Sequence, residues 1–94
     1  MNILKTERGL AIDCDLNLPR SLHARPAAKI AQKAREFKAN ILLISESGEA
    51  DAKSMLDILS LAIQPESRLR LLANGEDAEA AIRAVLHIIQ GENA

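Results

Sequence analysis

Between Leu10 and Phe37 the spacing of apolar residues changes from that of a strand to that of a helix, so this chain must set the two kinds of element against each other. Leu10, Ile12, Cys14 and Leu16 share one face while Asp13 and Asp15 take the other, the alternation of a strand buried on one side. Pro19 and Arg20 break that pattern. Ala27, Ile30, Ala31, Ala34 and Phe37 then recur at helical spacing, with Lys29, Gln32, Lys33, Arg35 and Glu36 between them. The spacing predicts a helix from about Ala24 to Phe37. Pro26 supports that start, because the N–H it lacks would be unpaired in a first turn.

Further along, Ile41 to Ile44 is a short strand-forming run, and Ser47-Gly48 supplies a turn into the alternation from Glu49 to Lys53, which reads as a hairpin. Ser54 is placed to cap a short helix over Met55-Leu56-Asp57-Ile58-Leu59. After Pro65, the alternation of Arg68, Leu69, Arg70 and Leu71 predicts a last strand that stops at Asn74-Gly75. Asp77 is the expected cap of a final helix whose buried stripe is Ala78, Ala81, Ile82, Val85, Ile88 and Ile89. The predicted order is strand, helix, strand, strand, helix, strand, helix. An antiparallel sheet with helices on one face buries such a set best. Leu42, Ile44 and Leu72 would leave some apolar surface on the open face, compatible with weak self-association.

At 94 residues the chain has room for one small core but not for a deep cleft between domains, so its chemistry should be superficial. The domain is expected over residues 9–90, with 1–8 and 91–94 as loose ends. Twelve basic and 13 acidic residues give a net charge of -1, which argues against nucleic acid or a membrane surface held by bulk charge. Phe37 is the only aromatic residue, so no stacking platform for bases exists. The single cysteine, Cys14, lacks the partners of a disulfide or a zinc site and reads as a small core residue. No signal-like or membrane-spanning stretch is present, and a soluble protein of the reducing cytoplasm is expected, with no metal and no cofactor.

The segment Leu22-His23-Ala24-Arg25-Pro26-Ala27-Ala28 puts an imidazole just ahead of the first predicted helix. A helix N-terminus offers unpaired N–H groups and partial positive charge to an anion, and Arg25 adds a guanidinium suited to phosphate oxygens. Histidine attacks as a nucleophile through a free ring lone pair, and the positive end of a helix favours that neutral form. His87, in the last helix, is given no role.

With these residues in place, the chain resembles the HPr family, the histidine-containing phosphocarriers of the bacterial phosphoenolpyruvate-dependent phosphotransferase system. The His23 segment resembles the family's active-site signature, Ala52-Lys53-Ser54-Met55-Leu56 its regulatory-serine segment, and Asn74-Gly75-Glu76-Asp77 the turn before its last helix. The resemblance implies an α+β open-faced β-sandwich with four antiparallel strands and three helices on one side. It also implies that His23 accepts a phosphoryl group, on Nδ1, from phosphorylated enzyme I and hands it to an enzyme IIA for sugar uptake. Arg25 would stabilise the phosphate, and Ser54 would be phosphorylated where the HPr kinase/phosphorylase is present. Partner contacts map by resemblance onto Ala24, Ala28, Gln32, Arg35, Met55, Leu56 and Leu59. Asp57 departs from the small or basic residues common at its position, Ser21 from a glycine, and Pro65-Glu66 from a glycine-rich turn. A regulatory or nitrogen-branch relative, and a noncatalytic interaction module, remain as alternatives.

Overall fold

The computed structural model describes residues 3–16, 24–64 and 67–91. Eight elements follow in chain order: β1 (Leu4–Thr6), β2 (Gly9–Asp15), α1 (Ala24–Ala34), β3 (Asn40–Ser45), β4 (Gly48–Asp51), α2 (Met55–Ser60), β5 (Arg68–Asn74) and α3 (Ala78–Ile89). The strands form one antiparallel sheet in the order β1-β2-β5-β3-β4.

The alternation in β2 does what its pattern requires. Ile12 and Cys14 point into the core while Asp13 and Asp15 face water. Opposite them, Leu69, Leu71 and Ala73 of β5 and Ile41 and Leu43 of β3 bury the same face, where Ile30 of α1, Ile58 of α2 and Ile82, Val85 and Ile89 of α3 meet them. Apart from Cys14 this core is built from aliphatic residues and alanine; Phe37 only packs against its rim. Each large side chain fully removed from water contributes roughly 1.5–3 kcal/mol before entropy is counted.

Two expectations need correction. The sheet has five strands rather than four, because Leu4–Thr6, inside the segment expected to be a loose end, pairs with Gly9–Ala11. Only three residues long, that strand is too short for a period to show. The first helix ends at Ala34, not Phe37, since Glu36 and Phe37 donate their N–H groups back to Lys33 and Ala34 in a tightened last turn. The open face keeps some apolar surface, as expected, since Leu42 and Ile44 are half-buried and Leu4 is exposed. Leu4, Ala11, Leu72 and Leu42 form one row across it, and Leu72 is only 5% exposed. Arg8 lies in a shallow groove with Asn40, Leu42, Leu72 and Asn74, and its guanidinium grips Glu49 of β4 through two bonds of 2.9 Å.

Candidate functional site

His23, with Ser21 and Leu22, lies outside the described residues, as do Pro65 and Glu66. In the chain His23 directly precedes Ala24, the first residue of α1. That helix is 11 residues long and has no acidic residue in its first turn. The N–H groups of the first turn lack helical partners, so this end of α1 is positive and uncompensated by a carboxylate of its own. Arg25, the second residue of the helix, is exposed beside it.

Ala24, Ala28 and Gln32 of α1 and Arg35 just past its end are all exposed and fall on one stripe, beside the buried face of Ala27, Ile30, Ala31 and Ala34. α1 packs against α2, where Met55 and Leu59 are half-buried and Leu56 stands 75% exposed. The structure thus gathers the contact residues expected from sequence onto two neighbouring helices. A Leu so exposed, next to a Met, makes an apolar spot of the kind that adapts to more than one partner.

Ser54 caps α2, its hydroxyl oxygen accepting the Asp57 N–H at 3.2 Å. Around it the turn is acidic. The Asp57 carboxylate accepts the Asp51 N–H at 3.3 Å, and the Asp51 carboxylate accepts the Lys53 N–H at 2.9 Å.

Bonds that sequence reading did not anticipate tie these elements together. Arg35 Nε donates to the Lys53 carbonyl at 2.9 Å, and Lys53 Nζ donates to the Phe37 carbonyl at 2.8 Å. The end of α1 is thereby tied to the turn that carries Ser54. Asp77 stands at the start of α3 but makes no side-chain cap bond there. Its carboxylate instead accepts the N–H groups of Lys38 and Ala39, each at 2.9 Å. The Lys38 N–H above all, then that of Ala39 and the charge of Lys53, hold the Asp77 carboxyl below the usual carboxylate range. No local pattern signals these bonds, whose partners are 38 and 39 residues apart. Cys14 is buried, as its strand position predicts, and His87 is exposed on α3. Among the described residues no cluster of His, Cys, Asp and Glu could hold a metal ion, and no helix is long and apolar enough to cross a membrane.

Residues 12–91 match the family model described as the PTS HPr component phosphorylation site. The phosphocarrier protein HPr of Mycoplasma pneumoniae is 37% identical over 73 residues, covering 77% of this chain and 83% of that protein. The HPr-like protein Crh of Bacillus subtilis is 32% identical over 78 residues, covering 83% of this chain and 92% of its own. Among solved structures, a phosphocarrier protein HPr from Bacillus anthracis superposes with a TM-score of 0.80 at 35% identity, over 85% of this chain and 95% of the other.

Proposed function

Because the chain belongs to the HPr family of the phosphotransferase system, we propose that it carries phosphoryl groups on His23, accepting them from phosphorylated enzyme I and passing them to an enzyme IIA in the cytoplasm. The observation that carries this reading is the family match across residues 12–91, which spans His23-Ala24-Arg25-Pro26 at the head of α1. A phosphocarrier of this kind is not an enzyme: it is consumed and regenerated stoichiometrically.

The chemistry asks little of so small a surface. A neutral imidazole nitrogen of His23 attacks phosphorus, the new N–P bond forms as the bond to the donor breaks, and the donor keeps the electron pair. Such transfers depend on in-line positioning and on stabilising charge at the phosphoryl oxygens. The first-turn N–H groups of α1 and the Arg25 guanidinium supply that charge from this chain. No cofactor is required. The docking partner completes the site, resting on Ala24, Ala28 and Gln32 of α1, on Arg35 just past its end, and on Met55, Leu56 and Leu59 of α2.

Ser54 is the proposed regulatory site wherever HPr kinase/phosphorylase is present. Similarity to the HPr-like protein Crh favours a second reading, in which the protein serves regulation rather than sugar uptake. Incubation with phosphoenolpyruvate and enzyme I tests the first reading. The chain should gain the mass of one acid-labile phosphoryl group, and His23→Ala should gain none. No gain in the parent chain, or a gain that survives in His23→Ala, rejects it.

A further inference from the structure

The turn-and-strand segment ahead of Ile12 lies outside the residues that match the family model, yet it changes the edge of the sheet. In the order β1-β2-β5-β3-β4, removing β1 would make β2 an edge strand. β2 is seven residues long, alternating and free of proline, and an edge of that kind is a template for a strand from another chain. The opposite edge is defended by other means, since β4 has four residues and carries Glu49 and Asp51.

β1 covers the start of the β2 edge by pairing Leu4, Lys5 and Thr6 with Ala11, Leu10 and Gly9. So short a strand needs fastening, and three contacts provide it. Thr6 Oγ1 donates to the Gly9 carbonyl at 2.8 Å, the Arg8 N–H donates to Thr6 Oγ1 at 3.1 Å, and Arg8 holds Glu49 in a bidentate pair. Arg8 leads into β2 and Glu49 sits on the opposite edge strand, so this pair straps the hairpin down across the open face beside Leu72 and Leu42.

We infer that the N-terminal hairpin is an edge guard that keeps the sheet from continuing into a second copy of this chain. The excluded partner is identified by the charges on β2 itself. Two β2 strands paired antiparallel about Ile12 would set Ala11 against Asp13, Leu10 against Cys14 and Gly9 against Asp15. No carboxylate then meets a carboxylate, and Leu10, Ile12 and Cys14 of both copies fall on the helix side. The guard stands apart from the phosphoryl-transfer reading, whose residues lie on α1 and α2, so either can fail alone.

The test compares the full chain, a chain lacking residues 1–8, and Arg8→Ala combined with Glu49→Ala, by light scattering after size exclusion from micromolar to millimolar concentration. Circular dichroism reports whether each is folded. The full chain should keep the mass of one copy throughout. The shortened chain should rise towards the mass of two, with new hydrogen-exchange protection confined to β2. The double variant should dimerise at least tenfold more tightly than the full chain, and Arg8→Glu with Glu49→Arg should restore the single copy. A shortened chain that is folded and stays single overturns the inference, as does a full chain that dimerises equally or protection arising elsewhere. Should the shortened chain fail to fold, a double variant that stays as single as the full chain overturns it.

Discussion

Replacing Gly75 with alanine should be the most damaging single-methyl change in the turn that leads into α3. Gly75 has φ of +152°, a region that side chains rarely adopt, and a Cβ built there would lie 2.7 Å from Ala39 Cα and 2.9 Å from Ala39 Cβ. Carbon atoms in good contact sit about 3.5–4.0 Å apart, so the new methyl overlaps its neighbours by roughly 1 Å. Neither side can yield easily. Ala39 is 1% exposed, and its N–H is held by the Asp77 carboxylate, which itself begins α3 two residues after Gly75. Overpacking of this kind costs about 1–3 kcal/mol and the unfavourable backbone angle about 1–3 more, partly offset by roughly 0.4–1 from a stiffer unfolded chain. The balance is a loss of about 3 kcal/mol, or about 12–24 °C in Tm for a domain of this size. Urea unfolding followed by circular dichroism measures it, with the slope expected to stay unchanged. A Gly75→Ala chain within about 0.5 kcal/mol of the parent, the range of an ordinary surface change, would refute the reasoning.

Three further expectations follow from the same structure. Burial, aided by the charges of Asp15 and Asp13, pushes the Cys14 thiol up to about 11. Native protein should therefore resist an aromatic disulfide reagent at neutral pH and react fully once unfolded; prompt reaction of the folded chain would place Cys14 outside the core. Asp77, Asp13 and Glu49 all have depressed carboxyl pKa values, through the Lys38 N–H, Arg70 and Arg8 respectively. The unfolded chain then binds more protons in acid, so stability is complete above about pH 5 and is lost as pH falls through the lowered native values. Asp77→Asn should flatten that acid slope in urea midpoints taken across the range; a slope equal to the parent's contradicts the assignment. At Ser54, an added phosphate would meet the like charges of Asp51 and Asp57. Asp57→Asn, which keeps an acceptor for the Asp51 N–H, should speed phosphorylation by a serine kinase severalfold, and an unchanged rate would remove Asp57 as a determinant.

What could be read in advance was local. The period of β2, the stripe of α1 and the hydroxyl cap of α2 each follow from residues within a turn or a few positions of one another, and each stands where its spacing puts it. Even Asp77 begins α3 as expected, but its carboxylate serves Lys38 and Ala39, a use that exists only once the chain has folded. The same holds for Arg8 and Glu49, separated by 41 residues, and for β1, whose three residues carry no measurable period. At the candidate site, the positions expected by resemblance to contact a partner are exposed on α1 and just past its end, and exposed or half-buried on α2. The bonds from Arg35 to the Lys53 carbonyl and from Lys53 to the Phe37 carbonyl were not legible, because each joins a side chain to a distant carbonyl that no residue type advertises.

A carrier must give up what it accepts, and discharge is the step that a regulatory relative would lack. The decisive measurement is the intact mass of the purified phosphorylated chain before and after mixing with a sugar-specific enzyme IIA. Loss of the phosphoryl mass from this chain, matched by its appearance on the enzyme IIA, is the expected result. A phosphorylated chain that keeps its group in the presence of active enzyme IIA contradicts the proposed relay.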